Sequence, residues 1–272
     1  MNGLNPFTIR GEDIMLLPLD WDKPSEGNEE LCSKFSYGLY KTDGHEMPYR
    51  LFIPKMSEPV PLVLYLHGAD AVGHDNESQL RMHDIGTVLV RDGWQKRHPC
   101  IVLAPQYNAD EYWNEPWIYE GIYKLIKKYT DTGAADKERI YVYGYSAGGV
   151  GTYHMLNTYP EIFASAVPIC GVTGRKSLAV IEEKPVWMVH AADDRIVKAS
   201  YKKSEYRELS NFGSHDIYEE LKDRAKELKY TEYAKGEMKK LYGVNPHCSW
   251  VALSDEKNIG IWEWLFSKRM VL

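Results

Sequence analysis

A serine hydroxyl becomes a useful nucleophile only when a neighbouring base takes its proton and an acid fixes the tautomer of that base. One serine in this chain stands where such help is attainable. Residues 139–151 read RIYVYGYSAGGVG. A run of Ile140, Tyr141, Val142 and Tyr143 leads into Gly144-Tyr145-Ser146-Ala147-Gly148, and a helix-compatible segment continues to Pro160. A serine at the tip of a tight strand-to-helix turn is held in a strained backbone conformation, and glycines two residues to either side avoid collisions. Its hydroxyl then projects alone into a cleft. The N–H of Ala147, at the helix N-terminus, faces the place where negative charge would develop.

On an elbow of this kind the partners follow in the order serine, acid, histidine. The acid belongs in a loop after a later strand. Residues 186–190 (VWMVH) have the composition of that strand, and the loop beyond them offers both Asp193 and Asp194. The histidines after Ser146 are His154, His190, His215 and His247. His154 falls inside the elbow helix and His190 at a strand end, too early for the base, while His215 sits at a helix start suited to capping. His247, in the loop GVNPHCSW before a terminal helix, stands where the base is expected. A second oxyanion donor belongs to the loop after the first central strand. There, in His67-Gly68-Ala69-Asp70, the N–H of Ala69 is the candidate, and His67 is expected to pack beneath the loop. His74, Asp75, His83 and Asp84 lack the i, i+4 histidine pair with a carboxylate that zinc hydrolases use, so neither metal nor cofactor is expected.

These residues need elements to hold them. From Pro61 onward apolar runs at 62–66, 100–104, 140–143, 164–169, 186–189 and 229–233 alternate with segments of helical periodicity near 76–92, 117–129, 147–160, 214–228 and 259–266. Such alternation predicts an α/β fold with a mostly parallel central sheet and helices on both faces. Two earlier strand-like segments, 35–41 and 47–53, flank Asp43-Gly44, a hairpin signal. Residues 1–31 are expected to form an N-terminal arm, with Ile14 to Leu17 as a short edge strand. Residues 32–272 then make one domain. About twenty residues separate Asp194 from the helix near Ser214, more than a bare connection needs, so 195–213 is a candidate lid-like insertion.

Composition bounds the partners. Lys plus Arg total 33 against 39 for Asp plus Glu, a net charge of −6, which leaves no electrostatic footprint for nucleic acid or an anionic membrane. No apolar run approaches a membrane span. The start, MNGLNPFTIR, lacks a basic stretch followed by an apolar one, so a cytoplasmic protein is expected, or a secreted one if a leader has been removed. The four cysteines include no C-x-x-C, and Cys100 and Cys170 lie in apolar runs, so buried free thiols are expected. Twenty Tyr and eight Trp supply flat amphipathic surfaces. Tyr107, Trp113, Trp117 and Trp250 are the candidates for lining a cleft that takes an aryl or sugar group. Oligomeric state is left open.

Taken together, PLVLYLHG (61–68), APQ (104–106), GYSAGGVG (144–151), YPEIFASAVPICG (159–171), residues 190–197 and HCSW (247–250) resemble the α/β-hydrolase superfamily. The nearer likeness is to its branch of polyhydroxybutyrate-depolymerase-like, feruloyl and acetylxylan esterases and predicted peptidases. The resemblance implies Asp194 as the acid, because the family's acid stands four residues after a strand-end histidine and three before a valine, here His190 and Val197. It also implies a serine hydrolase of carboxylic esters. Small acyl or hydroxycinnamoyl esters of carbohydrate-like alcohols are expected on other grounds, because the aromatic residues offer flat faces for ring stacking and no extended apolar segment beside the elbow could form a lipid-binding lid. The alternatives are a serine exopeptidase or oligopeptidase, and a non-catalytic binding protein on the same fold. Ala191 and Lys198 stand where glycine and proline are usual, which reshapes the acid loop. Asp70 replaces a small residue, and beside an oxyanion its carboxylate has to point away or be paired.

Overall fold

A computed structural model of the protein describes residues 27–201 and 211–270. Ten strands run in chain order: β1 (Ser36–Thr42), β2 (His45–Phe52), β3 (Val60–Leu66), β4 (Ile101–Pro105), β5 (Ala135–Tyr145), β6 (Ser165–Ile169), β7 (Val172–Gly174), β8 (Val186–Ala191), β9 (Asn211–Gly213) and β10 (Leu228–Tyr233). Eight form one sheet in the order β1-β2-β4-β3-β5-β6-β8-β10, while β7 and β9 pair separately. The hairpin β1–β2 and the β2–β4 contact are antiparallel. Every other neighbouring pair in the large sheet is parallel. This is the expected α/β architecture.

The strands are apolar on both faces because both faces are covered. All seven residues of β3 are buried. On one face Val63, Tyr65, Tyr141, Tyr143 and Tyr145 pack with Trp94, Trp250, Trp262 and Trp264. On the other, Leu62, Leu64, Leu66, Ile140 and Val142 pack against helices Pro116–Asp131, Ala147–Thr158, Leu178–Glu183 and Ser214–Leu221. Each aliphatic side chain so buried stabilises the fold by about 1.5–3 kcal/mol before entropy is counted. Among the described residues, no helix is long and apolar enough to cross a membrane.

Three expectations change. Residues 76–92 form not one helix but a single turn, Ser78–Arg81, followed by 3₁₀ turns at Asp84–Gly86 and Val88–Val90. Asn76, at φ 55°, and the Asp75 carboxylate, which accepts the N–H groups of Glu77 and Ser78, divert the chain into turns. The helix expected over 214–228 stops at Leu221, and its N-cap is Gly213. The buried carboxylate of Asp216 accepts from Ser200 Oγ (2.6 Å), Tyr201 N–H (2.6 Å) and Gly213 N–H (3.3 Å). It thereby ties together the two described ends of the candidate lid, whose central residues 202–210 lie outside the described residues. So does the arm up to residue 26, including the edge strand expected at 14–17. At 29–33 the arm's end is instead a short helix, Glu29–Ser33.

Candidate active site

Parallel strands end together, and four of them deliver the site. Gly144 of β5 pairs with Leu66 of β3, so the chain beyond each strand enters the same edge of the sheet. At the end of β5, Ser146 takes φ 53° and ψ −118°, outside the regions open to ordinary residues, at a cost on the order of 1–3 kcal/mol. The turn is tight enough that a Cβ on Gly144 or on Gly148 would run into the Leu66 carbonyl. Ser146 N–H donates to Ile169 O at the end of β6 (3.0 Å), with Cys170 Sγ also within 3.3 Å. Burial holds the Cys170 thiol well above its ordinary pKa, so it stays protonated. All four cysteines are free and buried.

Three side chains from different loops meet here. Ser146 Oγ–H donates to His247 Nε2 (2.9 Å), and His247 Nδ1–H donates to Asp194 Oδ2 (2.7 Å). The tautomer follows from the acid. Burial by itself would raise the Asp194 pKa, but the facing His247 and the hydrogen bonds from His190 and His247 outweigh it and hold the carboxyl well below the usual range. An ionised carboxylate only accepts, so Nδ1 carries the proton and Nε2 is left to accept. Asp194 Oδ1 is filled by the N–H groups of Ile196 (2.8 Å) and Val197 (3.1 Å). Asp193 faces elsewhere, accepting from Gly236 N–H at 2.9 Å.

His190 was read as a strand end, yet it braces the acid. Fully buried, its Nε2–H donates to Val197 O (2.8 Å) and lies 3.3 Å from Asp194 Oδ2, while Ser214 Oγ–H donates to its Nδ1 (2.9 Å). The four-residue spacing to Asp194 at the end of a buried strand was the available signal. His215 instead pairs with Glu232 at the surface (2.9 Å).

The loop opposite the elbow begins a 3₁₀ turn, Ala69–Ala71. Ala147 opens the elbow helix, whose first intrahelical bond is Val150 N–H to Ser146 O, so its own N–H has no partner within the helix. The N–H groups of Ala69 and Ala147 thus belong to the two loops that flank Ser146. His67 lies under this turn, donating from Nδ1 to Gly68 O (2.7 Å), and burial pushes its pKa down to about 4. Asp70 is paired: Tyr145 Oη–H donates to Oδ1 (2.7 Å) and His83 Nε2–H to Oδ2 (2.6 Å). Burial opposes ionisation of Asp70, yet the His83 and Tyr145 contacts prevail and keep its pKa below the ordinary value. Both oxygens of the Asp70 carboxylate are thus engaged by donors.

The proposed aromatic lining needs correction. Tyr107, Trp113 and Trp250 are 2%, 1% and 1% exposed, so they offer no open ring face. Tyr107 stacks on His67 with ring centroids 4.9 Å apart, and Trp113 Nε1–H donates to His67 O (3.1 Å). Trp250 stands edge-on to His247, centroids 5.4 Å apart, and packs on Tyr145 at 4.4 Å. Trp117 is half-buried and stacked on His45. Their apolar surface was spent beneath the loops, supporting the residues above. The cleft beside the elbow, about 340 Å³, is lined by Tyr112 and the edge of Trp113, by Val150 and His154, and by Arg175 and Lys176, among others. A cleft of about 410 Å³ between Pro59, His98 and Arg139 lies near the opposite ends of the strands and is no part of this site.

Sheet order, elbow and the three linked side chains are those of the α/β-hydrolase fold. Residues 112–226 match the model of the prolyl oligopeptidase family, a stretch that includes Ser146 and Asp194 and ends before His247. Poly(3-hydroxyalkanoate) depolymerase C of Paucimonas lemoignei is 31% identical over 132 residues, 43% of this chain and 29% of that protein. A thermostable esterase of solved structure is 33% identical with a TM-score of 0.77, covering 89% of this chain and 64% of its own. An acylaminoacyl peptidase of Pyrococcus horikoshii shares the fold at 13% identity and a TM-score of 0.58, over 86% of this chain and 41% of its own. The chain therefore spans less than two thirds of the length of each of these relatives.

Proposed function

We propose that this chain is a serine hydrolase of carboxylic esters. The observation that carries the proposal is the continuous hydrogen-bonded path from Ser146 Oγ through His247 to the ionised Asp194, set on a strained elbow. Ser146 Oγ attacks the acyl carbon while its proton passes to His247 Nε2, and the tetrahedral oxyanion sits between the N–H groups of Ala69 and Ala147. Removing one such donor typically costs about 2.7–4 kcal/mol in the barrier. The C–O bond to the alcohol then breaks, and the alcohol leaves with the proton from His247. Water repeats the sequence on the acyl-enzyme, giving the carboxylic acid and restoring Ser146. Asp194 keeps its charge throughout and stabilises the imidazolium.

The cleft is small and carries Asn114, Asn157, Arg175 and Lys176 among its lining residues, which supports short acyl or hydroxycinnamoyl esters of polar, carbohydrate-like alcohols over long-chain lipids. Tyr112, rather than the buried Tyr107 or Trp250, is the ring available to an aryl group. The names of the depolymerase and the esterase favour an ester substrate. A small-peptide hydrolase is the second reading, favoured by the prolyl oligopeptidase match. Against it, a free peptide amino terminus calls for carboxylates, and the cleft along the elbow helix at Val150 and His154 is lined by none. The test compares kcat/KM for acetyl and feruloyl esters with that for a long-chain ester and an aminoacyl anilide. The proposal expects the short or feruloyl esters to lead, and a faster anilide would establish the peptidase reading instead.

A further inference from the structure

The elbow helix carries a stripe of residues that starts at the nucleophile. Ser146, Val150, His154 and Asn157 are spaced by four, four and three residues, so they lie above one another on one helix face. Val150, His154 and Asn157 form one wall of the cleft of about 340 Å³. The opposite wall is the segment Val172 to Ser177, which carries Arg175 and Lys176 at its turn.

Charge distinguishes this cleft from the molecule as a whole. The chain is acidic, with a net charge of −6. Yet the cleft has two cations among its lining residues and neither Asp nor Glu. No carboxylate among the described residues pairs with Arg175 or Lys176, although most ion pairs here are formed by exposed side chains in the same way. Arg175 is positioned: its guanidinium lies 5.1 Å from the centre of the Phe212 ring, which belongs to β9, the partner of β7. The turn itself is tightened by a hydrogen bond from Thr173 Oγ1 to Ser177 Oγ (2.7 Å). The amides of Asn114 and Asn157 add neutral donors. Burial lowers the His154 pKa, so that ring is a neutral hydrogen-bonding group rather than a third cation.

We infer that this cleft is an anion subsite, in which Arg175 and Lys176 bind a carboxylate carried by the ester that Ser146 cleaves. The inference rests on the serine-hydrolase reading and narrows its substrate class to esters with an acid group in the acyl or alcohol part. Arg offers a planar fork that matches a carboxylate, and charged hydrogen bonds are the stronger ones. Both side chains are exposed, so their hold on an anion weakens as the salt concentration rises.

The experiment measures kcat/KM by proton release for two matched pairs of esters. Monomethyl glutarate against dimethyl glutarate places the carboxylate in the acyl part. 3-Acetoxypropionate against its methyl ester places it in the alcohol part. In the parent protein the charged member of at least one pair is expected to lead by three- to tenfold after correction for the number of ester groups. Arg175→Gln and Lys176→Gln should each cut that charged-to-neutral ratio severalfold, and so should raising the salt concentration. A ratio near one in both pairs would overturn the inference, and so would a ratio untouched by both substitutions. Neutral esters hydrolysed by the parent but not by Ser146→Ala would leave the serine-hydrolase reading standing in that event. Hydrolysis that survives Ser146→Ala would remove the reading itself.

Discussion

At Asp194 burial is opposed by the facing His247 and by hydrogen bonds from His190 and His247, and these partners win. Because its folded pKa is depressed, its stabilising contribution is present above the unfolded carboxylate range and is lost only as pH falls through the lower folded value. Asp194→Asn would leave the geometry but reverse the preferred His247 tautomer, so kcat should drop by about 10⁴, with KM much less affected. Asp193→Asn, which only loosens the turn at Gly236, should change kcat by less than about tenfold; equal losses would contradict the assigned roles. At His67 burial prevails instead, yet the pH dependence has the same sign. Its pKa is about 4 in the folded chain, below the ordinary 6.5, so the unfolded chain binds the extra proton first. Stability should therefore be intact above pH 6.5 and fall by roughly 3 kcal/mol between there and pH 4 on account of this residue. His67→Gln should flatten the slope of Tm against pH in that window. An unchanged slope would show that some other group sets it.

Among the elements, the junction of β7, β9 and helix Ser214–Leu221 has the fewest residues and depends most on one side chain. Asp216 satisfies two backbone N–H groups and a hydroxyl. Asp216→Ala leaves these donors without their acceptor and should cost about 1–3 kcal/mol, lowering Tm by several degrees. If the cleft wall depends on this junction, the variant should also lose the charged-to-neutral preference while retaining its neutral-ester turnover. A thermal midpoint identical to the parent would mean that Asp216 holds nothing together. The junction also marks what the sequence conceals. The central strands could be read from apolar runs because burial on both faces demands them. β7 and β9 are three residues each and pair across about forty positions, with no periodic signal of their own. The elbow was legible for a local reason, the collision that any side chain at Gly144 or Gly148 would cause. The aromatic lining was misread in part because composition shows that rings are present but not which way they point. Tyr107 and Trp250 turn inward to support the loops that carry Ala69 and His247, whereas Trp113 lines the cleft while bonding to His67 O.

In the whole molecule, the sheet gathers residues 67–70, 145–147, 190–197 and 245–250, far apart in the chain, at one end of its parallel strands. Their order along the sequence was enough to select His247 over His215, since only the former follows the last strand. Asp194 needed the family resemblance, because the residues alone allowed Asp193 as well. The substrate depends on side chains around the cleft rather than on the fold, and the fold is shared by relatives whose names denote esterases and peptidases. The central claim is that Ser146 is the nucleophile, activated by His247. It is tested most directly by intact-protein mass spectrometry after treatment with a fluorophosphonate, followed by mapping of the labelled peptide. One phosphonyl group should add per chain, on Ser146, with labelling abolished in Ser146→Ala and slowed by orders of magnitude in His247→Ala. A label on any other residue, or undiminished labelling of Ser146→Ala, would contradict the account.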